Sequence, residues 1–184
     1  MNSKFSAIQS GLVCSTALAL LCAAAVHTQT RYQIAFTSQA PRNQQLFIAD
    51  GDGTNVRPLV PSASFDANAS FSPDDQWVVF TSTRAGSADL FRVRPDGSGL
   101  ERLTDSPAFD DQAAFSPDGR AIAFVSSRSG QADIWVLELE TRRLVNVTNH
   151  PAGDFRPAWA PDGRSIAFSS DRDASPAVRG APGG

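Results

Sequence analysis

The chain has 184 residues, a length suited to one domain, and its 41% hydrophobic and 19% charged content is ordinary for a soluble globular protein. Its formal charge of −3 gives no basic excess with which to attract nucleic acid, so no nucleic-acid partner is expected. All but one of the 16 basic residues are arginines, a usage to which no function is assigned.

The front of the chain reads as a secretory signal peptide. Lys4 precedes an uncharged apolar run from Leu12 to Val26 that ends in Ala23, Ala24 and Ala25, and such a run is too short for a comfortable membrane span. Cleavage is expected after Ala25, giving a leader over 1–25 and a periplasmic or secreted mature chain. Cys14 and Cys22 both fall inside the leader, so no disulfide is expected. Lipid attachment at Cys22 is the less favoured alternative, because Leu21 stands where a small residue is wanted. No other stretch is apolar and long enough to span a membrane.

From here a repeat takes over. Residues 71–84 (FSPDDQWVVFTSTR), 115–128 (FSPDGRAIAFVSSR) and 159–172 (WAPDGRSIAFSSDR) are in-register copies 44 residues apart. The same spacing relates Phe36 to Phe80 and Asp52-Gly53 to Asp96-Gly97, so a first unit precedes the first full copy. The units run about 31–70, 71–114, 115–158 and 159–173. A fixed period of this size marks a stacked or radial repeat architecture.

Each unit reads as strand and turn. In the copy over 109–148, Gln112 to Ser116 is a short strand closed by Pro117-Asp118-Gly119, where proline presets φ and glycine supplies positive φ. Ala121 to Ser127 is an apolar strand, Ser129-Gly130-Gln131 a turn, and Asp133 to Leu139 a third strand. Thr141 to Arg143 turns again into Leu144 to Thr148. No helical period is present. The second strand carries apolar residues on both faces, as in Trp77-Val78-Val79-Phe80, so a single four-stranded sheet cannot hide them. Sheets packed face to face around an axis can, which predicts an all-β propeller; a β-solenoid is the competing repeat fold, but its coils are shorter and lack three hairpin turns.

The run Trp159 to Arg172, with Gly130-Gln-Ala-Asp-Ile-Trp135-Val and Leu103-Thr104-Asp105, resembles the WD40-like (PD40) propeller repeats of the TolB family. The resemblance covers about residues 31–173 and implies a six-bladed ring. It also implies a protein partner of the Tol–Pal kind, an envelope lipoprotein. A closed six-bladed ring needs about 24 strands, whereas counting along 26–173 gives three, four, four and two. An open arc of three to four blades is therefore expected, with self-association through its open edges. Beyond Arg172 the repeat fails: Ala174, Ala177 and Arg179 replace the expected glycine, aspartate and aromatic residue. Residues 174–184 read as a disordered Ala/Pro/Gly tail, and the chain as a fragment of a longer product.

Candidate chemistry repeats with the fold. Asp74, Asp118 and Asp162 follow proline in the turns, where a carboxylate accepts backbone hydrogen bonds, a structural role. Asp66, Asp110 and Asp154 lead into the innermost strand, near one mouth of the channel, where they could bind a cation or a partner's basic group or bond to the adjacent blade. Arg84, Arg128 and Arg172 end the second strand of each copy and are expected to pair across the hairpin with Asp89 and Asp133, again structurally. Asp50-Gly-Asp52-Gly-Thr-Asn55 superficially matches a calcium loop but lacks the alternating ligands and closing glutamate. Asn68-Ala-Ser70 and Asn146-Val-Thr148 match the glycosylation pattern. No metal site and no cofactor are expected.

Catalytic signals are missing from the sequence. It has two histidines, His27 and His150, and no Gly-x-Ser-x-Gly elbow, His-Glu-x-x-His or phosphate-binding loop. The leading expectation is a non-catalytic interaction scaffold. The alternative is a piece of the gating propeller of a prolyl oligopeptidase-like or tricorn-like peptidase whose catalytic domain is absent, and an inactive remnant is a third.

Overall fold

A computed structural model describes residues 33–39 and 44–172. The expected leader with its two cysteines, His27 and the 174–184 tail lie outside the described residues. Residues 1–30 and 31–184 separate as two units, and every described residue belongs to the second.

Thirteen strands follow one another with no helix among the described residues. The first sheet joins β1 (Gln33–Gln39), β2 (Gln44–Asp50) and β3 (Arg57–Pro58). The second joins β4 (Asp66–Phe71), β5 (Val78–Ser82), β6 (Asp89–Val93) and β7 (Glu101–Arg102). The third joins β8 (Asp110–Phe115), β9 (Ala121–Ser126), β10 (Asp133–Glu138) and β11 (Leu144–Asn146), and β12 (Asp154–Trp159) pairs with β13 (Ile166–Ser170). All pairings are antiparallel between sequence neighbours, in the three, four, four and two grouping that the period predicts. The ring is not closed.

Alternation along the second strands explains the stacking, since successive side chains of a strand point to opposite faces. Val78 and Phe80 of β5 meet Leu46, Ile48 and Leu59 of the first sheet. Val79, between them, joins Leu90 and Leu103 against Phe115, Ile122 and Phe124 of the third sheet. Ala123 and Val125 then turn the other way, towards Trp159 and Ile166. The core is therefore a series of layers between sheets.

Two local features recur in the three sheets that begin with β4, β8 and β12. In the Ser-Pro-Asp turns, Asp74 accepts from Ser72 Oγ (2.5 Å) and Gln76 N (3.1 Å), while Ser72 Oγ accepts from Trp77 N. Asp118 repeats this with Ser116 and Arg120 N, and Asp162 accepts from Arg164 N. The serine hydroxyls first, and the backbone amides second, hold the Asp74 and Asp118 carboxyls below their usual pKa. The turn then needs positive φ, supplied by Gly119 and Gly163 (both 69°) but by Asp75 (57°) in the first copy.

The second feature was not visible in the sequence. Each innermost strand carries a β-bulge at one repeat position, where Asn68, Gln112 and Arg156 have φ of 53°, 55° and 54° and the pairing register shifts. The bulges are tied from sheet to sheet: Asn68 Nδ2 donates to Asp111 Oδ1 (2.6 Å), and Arg156 N donates to Gln112 Oε1 (2.8 Å).

Candidate functional site

The repeated aspartates and arginines form a clamp in each of the last three sheets. Asp66 opens β4, and the β4–β5 register sets it opposite Ser82, so Arg84, two residues further on, reaches back to it. Arg84 Nη2 lies 2.9 and 3.0 Å from the two Asp66 oxygens, and its Nε donates to Ser82 Oγ. Arg128 holds Asp110 at 2.9 and 2.7 Å with Ser126 as the third partner, and Arg172 holds Asp154 at 2.6 Å with Ser170. Each guanidinium also lies over aromatic rings: Phe80 and Phe91, Phe124 and Trp135, and Phe168 in the last copy.

This corrects the expected pairing of Arg84 with Asp89 and of Arg128 with Asp133. Asp89 is taken by Arg102 (2.7 Å) and Ser87, and Asp133 by Ser129, Asn146, Thr148 and the His150 amide. Burial pushes the Asp133 carboxyl up most strongly, but those four hydrogen bonds outweigh it and leave the pKa lowered. Burial likewise pushes the Asp154 carboxyl up most strongly and is outweighed, with the Arg172 guanidinium 2.6 Å from Oδ2 among the groups that lower it, while buried Oδ1 has no hydrogen-bond partner among the described residues.

The clamp decides what Asp66, Asp110 and Asp154 can do. All three are fully buried, and each carboxylate is engaged by an arginine of its own blade, not of the adjacent one. A carboxylate neutralised in this way is a poor base and a poor cation ligand. The calcium-like segment is likewise consumed by its hairpin, Asn55 Nδ2 donating to Asp50 and Thr54 N and Oγ1 to Asp52. His150 Nδ1 accepts from Ala152 N, and the amides of Asn68 and Asn146 are bonded to Asp111 and Asp133.

Antiparallel topology gives the sheets two unlike ends. The turns after the first and third strands share one end, which carries Asp50, Asp74, Asp96, Asp118, Glu138 and Asp162. Here clefts open between blades. One of about 320 Å³ lies between Trp77, Arg92 and Leu139, and one of about 620 Å³ between Glu138, Trp159 and Asp162. At the opposite end the loops 83–88, 103–109 and 127–132 are mostly Ser, Thr, Ala, Gly, Pro, Gln and Phe, with the clamped arginines and the 85% exposed Asp105 as their charged residues. Phe65 and Phe109 are exposed there at one repeat position.

Successive antiparallel four-stranded sheets, packed face to face with the first strand of each innermost, are the blades of a β-propeller. Residues 104–180 match the family model described as the TolB beta propeller domain, PD40. Among solved structures, the Agrobacterium tumefaciens protein assigned as TolB superposes with a TM-score of 0.67 at 26% identity, over 75% of this chain and 50% of that one. TolB from Acinetobacter baumannii gives 0.69 at 25% identity, over 78% and 37%. The tricorn protease gives 0.57 at 17% identity, over 76% and 14%, a likeness of fold. No curated protein matches this sequence. The repeats are TolB-like propeller repeats, and the chain spans half or less of the length of the TolB structures it resembles.

Proposed function

We propose that this chain is a non-catalytic, periplasmic or secreted scaffold that docks a protein partner, an envelope lipoprotein of the Tol–Pal kind, on the end of its blades that carries Phe65 and Phe109. The observation that carries this reading is the contrast between committed and free groups. The repeated carboxylates and guanidiniums are spent inside the blades, whereas Phe65 and Phe109 stand exposed at matched positions on loops that those clamps hold. Matched exposed aromatics on loops held by the clamps suit burial under a protein surface better than chemistry on a small substrate. Asp66, Asp110 and Asp154 act here as positioning groups for the rim and do not touch the partner.

The test is capture from envelope extract by the full chain and by a Phe65→Ser/Phe109→Ser variant. A lipoprotein retained by the first and lost from the second is the expected result; equal retention, or none, overturns the reading. The tricorn likeness supports a second reading, the propeller of a peptidase. A serine-elbow hydrolase segment encoded with these repeats would favour it.

A further inference from the structure

We propose that the cleft between the third sheet and β12 receives an arginine side chain from a protein partner, its guanidinium held between the Trp159 indole and a rim of carboxylates. The cleft, of about 620 Å³, opens at the end of the sheets opposite Phe65 and Phe109. Trp159, Pro117 and Pro161 form apolar parts of its wall. Its charged lining is acidic, Asp118, Glu138, Glu140 and Asp162 standing against one arginine, Arg120.

The chain itself shows what such a cleft can hold. At the same place between the second and third sheets the space is narrowed to about 320 Å³, and Trp77 and Arg92 line it. The Arg92 guanidinium lies 4.2 Å from the Trp77 ring and donates to Glu101 (2.7 Å), and Arg94 lies 4.6 Å from the same ring. One repeat further on, Trp77 is replaced by Ala121, Arg92 by Val136 and Arg94 by Glu138. The indole moves to the facing wall, where Trp159 stands at the repeat position of Phe115. Among the described residues no guanidinium lies over it. The third sheet has thus given up the ring and the arginines of the earlier cleft, and has gained a carboxylate in place of one of them.

The groups that remain are ready to bind. Trp159 Nε1 donates to Ala114 O (3.2 Å) and the side chain packs on Ala123, Val125 and Ile134, which fixes the indole. The Ser116 hydroxyl first and the Arg120 amide second keep the Asp118 carboxyl below its usual pKa, so it is charged at neutral pH. Glu138 meets Arg143 at 3.5 Å in a pair that is exposed on both sides, and such a pair yields readily to a better-placed cation. A guanidinium can stack on an indole by its face while its edge donates to carboxylates; an ammonium cannot do both. A cleft of this size holds more than one guanidinium, which leaves room for the residues on either side of the arginine. Completion of the following blade does not close such a cleft, because the earlier one lies between two four-stranded sheets and is open.

The test follows the indole N–H resonances of the three tryptophans in the isotope-labelled full chain, with Trp159 assigned by Trp159→Phe. The probe is acetyl-Ser-Arg-Ser-amide at millimolar concentration. The Trp159 resonance is expected to shift saturably while those of Trp77 and Trp135 stay in place. The citrulline peptide, uncharged but of the same shape, should give no shift, and the lysine peptide should bind more weakly. Glu138→Gln should weaken binding about threefold. Ala121→Trp/Glu138→Arg, which gives the third sheet the groups of the second, should abolish it, with unmoved Trp77 and Trp135 resonances showing that the fold is kept. No saturable shift of Trp159, equal binding of the citrulline peptide, or equal binding by the filled variant overturns the proposal. Arginine amide binding as tightly as the peptide also overturns it, by assigning the cleft to a free guanidinium compound. The Phe65→Ser/Phe109→Ser chain is expected to bind the peptide as the parent does, so this cleft and the partner surface proposed above stand or fall separately.

Discussion

Phe36, Phe80, Phe124 and Phe168 occupy one position of the repeat, yet the middle two are fully buried while the outer two are 36% and 37% exposed. All four lie on second strands of similar sequence. Phe36 has no sheet on the side it faces, and Phe168 faces the third sheet but has no third strand beside it, among the described residues, so burial in this fold belongs to the neighbour as much as to the strand. Stability should accordingly be concentrated in the second and third blades and fall away towards the ends.

The sharpest way to break this comparison is to truncate the same residue in the middle and at the end. Phe124→Ala should cost about 3–5 kcal/mol and Phe168→Ala about 1–2 kcal/mol in urea unfolding; equal losses would refute the neighbour argument. The clamp offers a second contrast. Arg128→Met leaves fully buried Asp110 without its counter-charge and should cost about 3 kcal/mol. Arg172→Met, at a more open arginine, should cost about 1 kcal/mol by the same measurement.

Next come the inter-blade polar contacts. Thr81 Oγ1 donates to Asp111 Oδ1 at 2.6 Å between the second and third sheets, whereas the repeat equivalents of this pair are the apolar Val125 and Phe155. Thr81→Val should cost about 1–2 kcal/mol, and a double-mutant cycle with Asp111→Phe should recover part of it. A smaller effect is pH-dependent. The Asp133 carboxyl is held below its ordinary value of 3.8, so its contribution is full above that pH and is lost as pH falls through the lowered value. Asp133→Asn should flatten the acid limb of a stability-against-pH curve. Least of all, Asp75→Gly should raise stability by about 0.5 kcal/mol by matching the turn to its two glycine copies, as read from the shift in melting temperature.

The period carried most of the fold. Once Phe71, Phe115 and Trp159 were aligned, the strands, their grouping and the hairpin turns followed, because each is a local matter of alternation and turn chemistry. What stayed hidden depends on register between strands. Asp66 and Asp89 are equally periodic relative to Arg84, and only the pairing of β4 with β5 shows which one the guanidinium meets. The bulges were hidden for the same reason: Asn68, Gln112 and Arg156 share no residue type, and the demand is on backbone shape. The exposed Phe65 and Phe109 could have been found from the 44-residue spacing, as two aromatics sitting just ahead of Asp66 and Asp110.

The clamp has a kinetic side too. Asp66 and Arg84 lie 18 residues apart, as do Asp110 and Arg128, and Asp154 and Arg172. Each ion pair can therefore form within one hairpin, before any later repeat has folded. Such short-range closure favours fast, sequential maturation and limits the time that nascent apolar strands spend unguarded.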